Sequence, residues 1–136
     1  MRFWADFLRY LGPEYRDADK LRERAKLRLP RSLVGISKLP LVNSRPGRRL
    51  LSTLLLWVEQ AIPTDRWVDA LIASQEPDVV LVTPLVDLGS DQADYLKSAR
   101  ALGIRTGLCV HSWDNLTNKG LIRVKPDRVY VWNESQ

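Results

Sequence analysis

The sequence holds a single cysteine and a single histidine in 136 residues. One cysteine excludes an internal disulfide and a cysteine metal cluster. Cys109 lies in the apolar run RTGLCV, which reads as a buried, inert thiol in a reducing compartment. Long hydrophobic runs are also missing. The most apolar stretch, LLSTLLLWV over 50–58, is far short of the ~20 residues a spanning helix needs. It reads as a buried helix, or else as one lying on a membrane surface. The opening MRFWADFLRYLG lacks the long apolar core and small-residue cleavage site of a signal peptide. No GxGxxG follows a strand, and P-loop, CxxC and HExxH are absent. The acidic stretch 87–94 lacks EF-hand spacing. No metal site and no resident cofactor are expected.

What is there is a globular balance, 45% hydrophobic and 27% charged. The formal charge of +5 is unevenly spread: residues 1–49 carry 13 Lys/Arg against 5 Asp/Glu, and the remainder is acidic. A basic surface attracts phosphates on lipids, nucleic acids or nucleotide-linked substrates. A plain solvated helix face accounts for the same charges. The basic stretch 20–31 lacks interleaved aromatics, so no specific nucleic-acid partner is expected.

Apolar spacing predicts amphipathic helices over 3–11 and 17–28, the second with only Leu21, Ala25 and Leu29 as a thin stripe. Residues 30–47 contain Pro30, Gly35, Pro40, Pro46 and Gly47 and read as a loop-rich connection. A helix over 48–61 is closed by Pro63, and Thr64 is the expected cap of the next one, striped by Trp67, Val68, Leu71 and Ile72. The character then changes. DVVLVTP from Asp78 reads as a strand buried on both faces. After the loop TPLVDLGS, Ser90 caps a helix that stops at Gly103, and RTGLCV makes a second strand. The loop HSWDNLTNKG and a third strand, RVYVW over 128–132, follow. Strand, helix and strand within 78–110 have the length of a βαβ unit, which is right-handed and builds a parallel sheet. The fold class is therefore α/β, a Rossmann-like parallel sheet over 48–136 preceded by a mainly helical basic segment over 1–47. Asn133 is placed to cap a further helix with Glu134 in its first turn. A sheet that stops there lacks a crossover, so the sequence is expected to be part of a longer protein.

Ligands of open α/β sheets bind beyond the carboxyl ends of the strands, where the loops 83–90 and 111–120 fall. His111 has a side chain suited to proton transfer near neutrality. Asp114 is placed to act as a general base or to orient His111. Ser112, Asn115, Thr117 and Lys119 are suited to sugar hydroxyls or a phosphate, and Trp113 to stacking on a sugar ring. Asp87, Gly89 and Ser90 sit before a helix N-terminus, where anions are favoured. Each residue also has a structural explanation. Asp114 and Asn115 are ordinary turn formers, Ser90 is a cap, and Trp113 can simply cover the sheet end.

The stretch PDVVLVTPLVDLGSDQADYLKSARALGIRTGLCVHSWDNLTNKG, with PDRVYVWNESQ after it, resembles the N-terminal half of bacterial GT-B-type glycosyltransferase-like proteins of the surface-polysaccharide kind. The resemblance covers 78–136 and extends loosely over the helices before it; SWDNLTNKG and PDRVYVWNESQ are its most specific parts. It implies an N-terminal domain that receives a glycan or lipid-linked acceptor. It also implies a second Rossmann-like domain, absent from this sequence, that holds a nucleotide sugar as co-substrate. His111, Trp113, Asp114 and Lys119 would then lie on the acceptor side of a metal-free cleft, and this part alone would not turn over. The wider group includes sugar-nucleotide epimerases and polyol-phosphate transferases, and a non-catalytic Rossmann-like binding module is the remaining alternative. The expected location is cytoplasmic and peripheral to the inner membrane, since the charge of the basic first third suits an anionic membrane surface holding a lipid-linked acceptor.

Overall fold

The computed structural model describes residues 1–112 and 114–133. The chain divides into two compact units, Met1–Ala61 and Ile62–Gln136. The first is helical and the second is mixed α/β. The division falls after the long helix rather than at residue 47, because that helix packs against the first one.

The first unit comprises α1 (Arg2–Tyr10), a 3-10 turn (Pro13–Tyr15), α2 (Asp19–Lys26), α3 (Arg31–Ser37), α4 (Pro40–Asn43) and α5 (Arg45–Ala61). α1 buries Phe7, Leu8 and Tyr10, and the Tyr10 ring meets Tyr15 edge-on at 5.0 Å. α2 contributes Ala25, joined by Leu29 just beyond it. Leu21, the third residue of the expected stripe, is only half-buried.

The segment 30–47 is not the loop its prolines suggested. Pro30 caps α3, Pro40 is the first residue of α4, and Pro46 is the second of α5. A proline in the first turn gives up an N–H that has no intrahelical acceptor, and its fixed φ already suits the helix. Gly47 permits the tight passage from α4 to α5. A Cβ there would lie 1.8 Å from the Leu41 carbonyl oxygen.

α5 is not buried all round. One flank carries Glu59, 2% exposed, which accepts from Arg2 Nε at 3.1 Å to each oxygen and from Nη2 at 2.8 Å. On another flank Leu50 and Trp57 are 63% and 64% exposed, with Leu54 and Val58 exposed beside them. A helix packed along one side has room to hide only one stripe.

In the second unit α6 (Arg66–Gln75) leads into β1 (Val79–Val82), α7 (Gln92–Ala101), β2 (Arg105–Cys109), α8 (Asn115–Asn118) and β3 (Arg128–Tyr130). Asp65, not Thr64, caps α6. Its Oδ1 accepts from the N–H groups of Trp67 (2.7 Å) and Val68 (3.4 Å), and a carboxylate there also suits the helix dipole. Thr64 instead donates to Asp69 Oδ2 at 2.7 Å. Of the expected stripe only Val68 and Ile72 are buried; Trp67 and Leu71 face outward.

The three strands are parallel, in the order β1-β2-β3, with Val80 opposite Thr106 and Leu108 opposite Val129. α7 stops at Gly103 as expected. The glycine has φ +73°, and the N–H groups of Gly103 and Ile104 reach back to the carbonyls of Arg100 (3.0 Å) and Ala99 (2.8 Å).

The core lies on one side of this sheet. Val82, Leu96 and Leu108 pack together there, and Val68, Ile72 and Ala99 close on Val80 beside them. Both α6 and α7 therefore cover the Val80–Val82 side. The expectation that β1 is buried on both faces is overturned: Leu81, on the other side, is 53% exposed. The cause is the winding. Strands added in sequence order by crossovers of one hand place those crossovers on one face. On the open face Leu81 and Tyr130 lean over Gly107, whose added Cβ would lie 2.7 Å from Leu81 Cδ2 and 3.0 Å from the Tyr130 ring. Cys109 sits on the same side by register and is half-buried, not buried. Among the described residues no helix is long and apolar enough to cross a membrane.

Candidate functional site

Both loops singled out from the sequence leave the carboxyl ends of parallel strands, 83–90 after β1 and 111–120 after β2. They lie side by side, because the Gly120 N–H donates to the Val86 carbonyl. Their adjacency follows from pairing β1 with β2 in parallel, which brings both strand exits to one edge.

The first loop is tightly built. Leu85 and Val86 turn inward and are buried, whereas Asp87 is exposed. Leu85 has φ +29°, a strained value for a residue with a γ-branched side chain, and Gly89 has φ +71°. Gln92, in the first turn of α7, holds the strained position. Its Oε1 accepts from the Leu85 N–H at 2.8 Å and its Nε2 donates to the Thr83 carbonyl at 2.7 Å. The Asp87 carbonyl accepts from the Ser90 N–H at 2.9 Å. α7 begins one residue later than expected, with Asp91 at the cap position. Ser90 nevertheless does a cap's work, since its Oγ accepts from the Gln92 N–H at 3.2 Å.

In the second loop His111 is exposed immediately past β2, and Ser112 is half-buried. The Ser112 carbonyl accepts from the Asn115 N–H at 3.0 Å. That bond turns the chain into α8, with Asp114 half-buried at its cap position. Asn115 points inward. It is 3% exposed, and its Nδ2 finds no hydrogen-bond partner among the described residues. Buried amide donors ordinarily have a hydrogen-bond partner, from the protein or from water. Lys119 is half-buried at the far end, next to Gly120. Thr117 lies within α8, and its side chain, like the whole of Trp113, is outside the described residues.

Two residues at this edge had no signal in the sequence. Gln92 is one. Trp132 is the other: its indole Nε1 donates to the Val110 carbonyl at 2.6 Å, beside the peptide leading into His111, while most of the ring stays exposed. The Val110 N–H is held in turn by the Tyr130 carbonyl at 2.9 Å. Asn133, expected to cap a further helix, lies in a bend, and Glu134 is outside the described residues.

The opposite edge of the sheet is a clamp. Asp127 Oδ2 accepts from the Thr106 hydroxyl (2.8 Å) and the Thr106 N–H (2.7 Å), which hold its carboxyl below the usual range. Among the described residues no group of three or more His, Cys, Asp and Glu is arranged to hold a metal ion. No protein-family model matches the chain. No curated protein and no solved structure matches it either.

Proposed function

We propose that the α/β unit is the acceptor-binding side of a Rossmann-like, GT-B-type glycosyltransferase. The observation that carries the reading is the meeting of the two strand-exit loops at one carboxyl edge, where His111 is exposed and the Trp132 indole is bonded to the carbonyl of the residue before it. Ligands of open parallel sheets occupy this edge. An exposed indole next to polar side chains suits a sugar ring, which offers an apolar face and a rim of hydroxyls. The inward Asn115 amide provides a donor for an oxygen at the same loop.

In this reading an acceptor hydroxyl attacks the anomeric carbon of a nucleotide sugar. The bond from that carbon to the diphosphate oxygen breaks, and His111 or Asp114 takes the hydroxyl proton. In this reading the nucleotide sugar is held by a donor-binding domain that is not part of residues 1–136.

The test has two levels. Titrating the isotope-labelled chain with acceptor saccharides and lipid-linked analogues is expected to move the amide resonances of His111, Ser112, Lys119 and the Trp132 indole. In the enzyme completed by its donor domain, His111→Ala and Asp114→Ala are each assayed for sugar transfer. Loss of the base is expected to lower the rate by about 10²–10⁴-fold. Saccharides that move no resonance at this edge, together with full activity in both variants, would sink the proposal.

A further inference from the structure

The helical unit carries two surface features that nothing at the sheet edge uses. The first is a pair of adjoining clefts, about 510 and about 400 Å³, sharing Gly12, Pro13, Arg45 and Arg48. Their walls bring together Arg9 from α1, Arg16 and Arg22 from around α2, and Arg45, Arg48 and Arg49 from the start of α5. Glu14 is the one acid among the residues lining them. Several arginines are already braced. Arg22 Nη2 donates to the carbonyls of Tyr15 and Arg16, each at 2.8 Å, Arg9 lies 5.4 Å over the Tyr15 ring, and Arg48 donates to the Asn43 carbonyl. Guanidinium groups gathered around a concave surface repel one another, and phosphate oxygens relieve that repulsion with paired hydrogen bonds.

The second feature is the uncovered flank of α5. Leu50, Leu54, Trp57 and Val58 stand at i, i+4, i+7 and i+8, all exposed. The acid of this helix, Glu59, is turned away and paired with Arg2. The two features join, because Arg49 and Thr53 line the cleft while Leu50 and Leu54 follow them directly in sequence. A cationic cleft beside an apolar, tryptophan-bearing helical stripe is the arrangement of a helix lying in a bilayer interface.

We propose that the unit Met1–Ala61 docks on an anionic phospholipid surface. Lipid phosphates occupy the arginine-lined clefts, and Leu50, Leu54, Trp57 and Val58 enter the headgroup–acyl boundary. Every residue involved lies in the helical unit, so this inference stands or falls separately from the transferase reading.

The test is co-flotation of the 136-residue chain with phosphatidylcholine vesicles, with and without phosphatidylglycerol. Binding is expected to the anionic vesicles and not to the neutral ones. Trp57→Glu and the double variant Arg45→Glu/Arg49→Glu are each expected to lower partitioning by at least about tenfold. Circular dichroism should match the parent, since these side chains are largely exposed. Absence of binding to anionic vesicles, equal binding to both kinds, or Trp57→Glu binding as well as the parent overturns the proposal. So does saturable binding of soluble glycerol phosphate by a chain that ignores vesicles, which assigns the clefts to a free phosphate ligand. Lipid-independent self-association abolished by Trp57→Glu, without vesicle binding, assigns the helix face to a second copy instead.

Discussion

Removing Arg2 is expected to unfold more of the helical unit than removing any exposed arginine. Its guanidinium meets Glu59 through Nε and Nη2 at 2.8–3.1 Å, while Glu59 is 2% exposed and the Arg2 side chain 19%. Arg2→Ala takes the guanidinium away from a carboxylate that has little access to water. Breaking a fully buried pair in this way costs about 3–5 kcal/mol. The partial exposure of Arg2 lets water in once the side chain is gone, which reduces the expected loss to about 2–3 kcal/mol. That is a large share of the 5–15 kcal/mol that typically holds a domain. With a urea slope of about 1–3 kcal/mol per molar, the midpoint should fall by roughly 0.7–3 M. Far-UV circular dichroism, dominated here by helices, is the assay. The decisive comparison is Arg2→Met/Glu59→Leu, which removes both charges and fills the same space. It should be more stable than Arg2→Ala, because neither charge of this pair is left to desolvate. If Arg2→Ala lies within about 0.5 kcal/mol of the parent, or the double variant is the weaker of the two, the pair does not hold α5 to α1 as argued.

Gln92→Ala leaves the buried Leu85 N–H without its acceptor, whereas the exposed Thr83 carbonyl turns to water; a loss of about 1–3 kcal/mol in urea denaturation is expected. Gly103→Ala meets open space but must keep φ at +73°, so its cost is conformational only, about 1–2 kcal/mol by thermal melting. Asp127 is held below its ordinary value of 3.8 by the Thr106 hydroxyl and N–H. Its ionised form therefore favours the folded chain; the contribution is complete above that value and is lost as pH falls through the lower folded one. Stability curves of the parent and Asp127→Asn should be separate at neutral pH and converge on acidification below about pH 4.

The three strands were legible because β-branched runs bounded by turn residues leave little else to choose, and the stop at Gly103 was legible because a left-handed cap asks for glycine. The helices at 31–37 and 40–43 were not, since a proline in a first turn and a proline in a loop look alike until the following residues are seen to pack. Nor did the apolar run of β1 reveal that only one of its faces is covered. That depends on which side the crossover passes, a property of the chain around the strand. At the candidate site the loop 111–120 was found from its residue types. Gln92 and Trp132 were missed because each acts across 7 to 22 positions of chain, and nothing in their immediate neighbours announces it. Asn115 was singled out for sugar hydroxyls or a phosphate and as a turn former; that α8 turns it inward was not legible from the sequence.

One side chain, Gln92, grips the loop after β1 at two points while its own backbone belongs to the first turn of α7. Loop and helix are thereby geared together. A ligand that draws the start of α7 toward the strand ends would carry Thr83 and Leu85 with it, and through the Gly120–Val86 bond the neighbouring loop as well. A displacement of the helix start would thus reach both rims of the edge through these bonds.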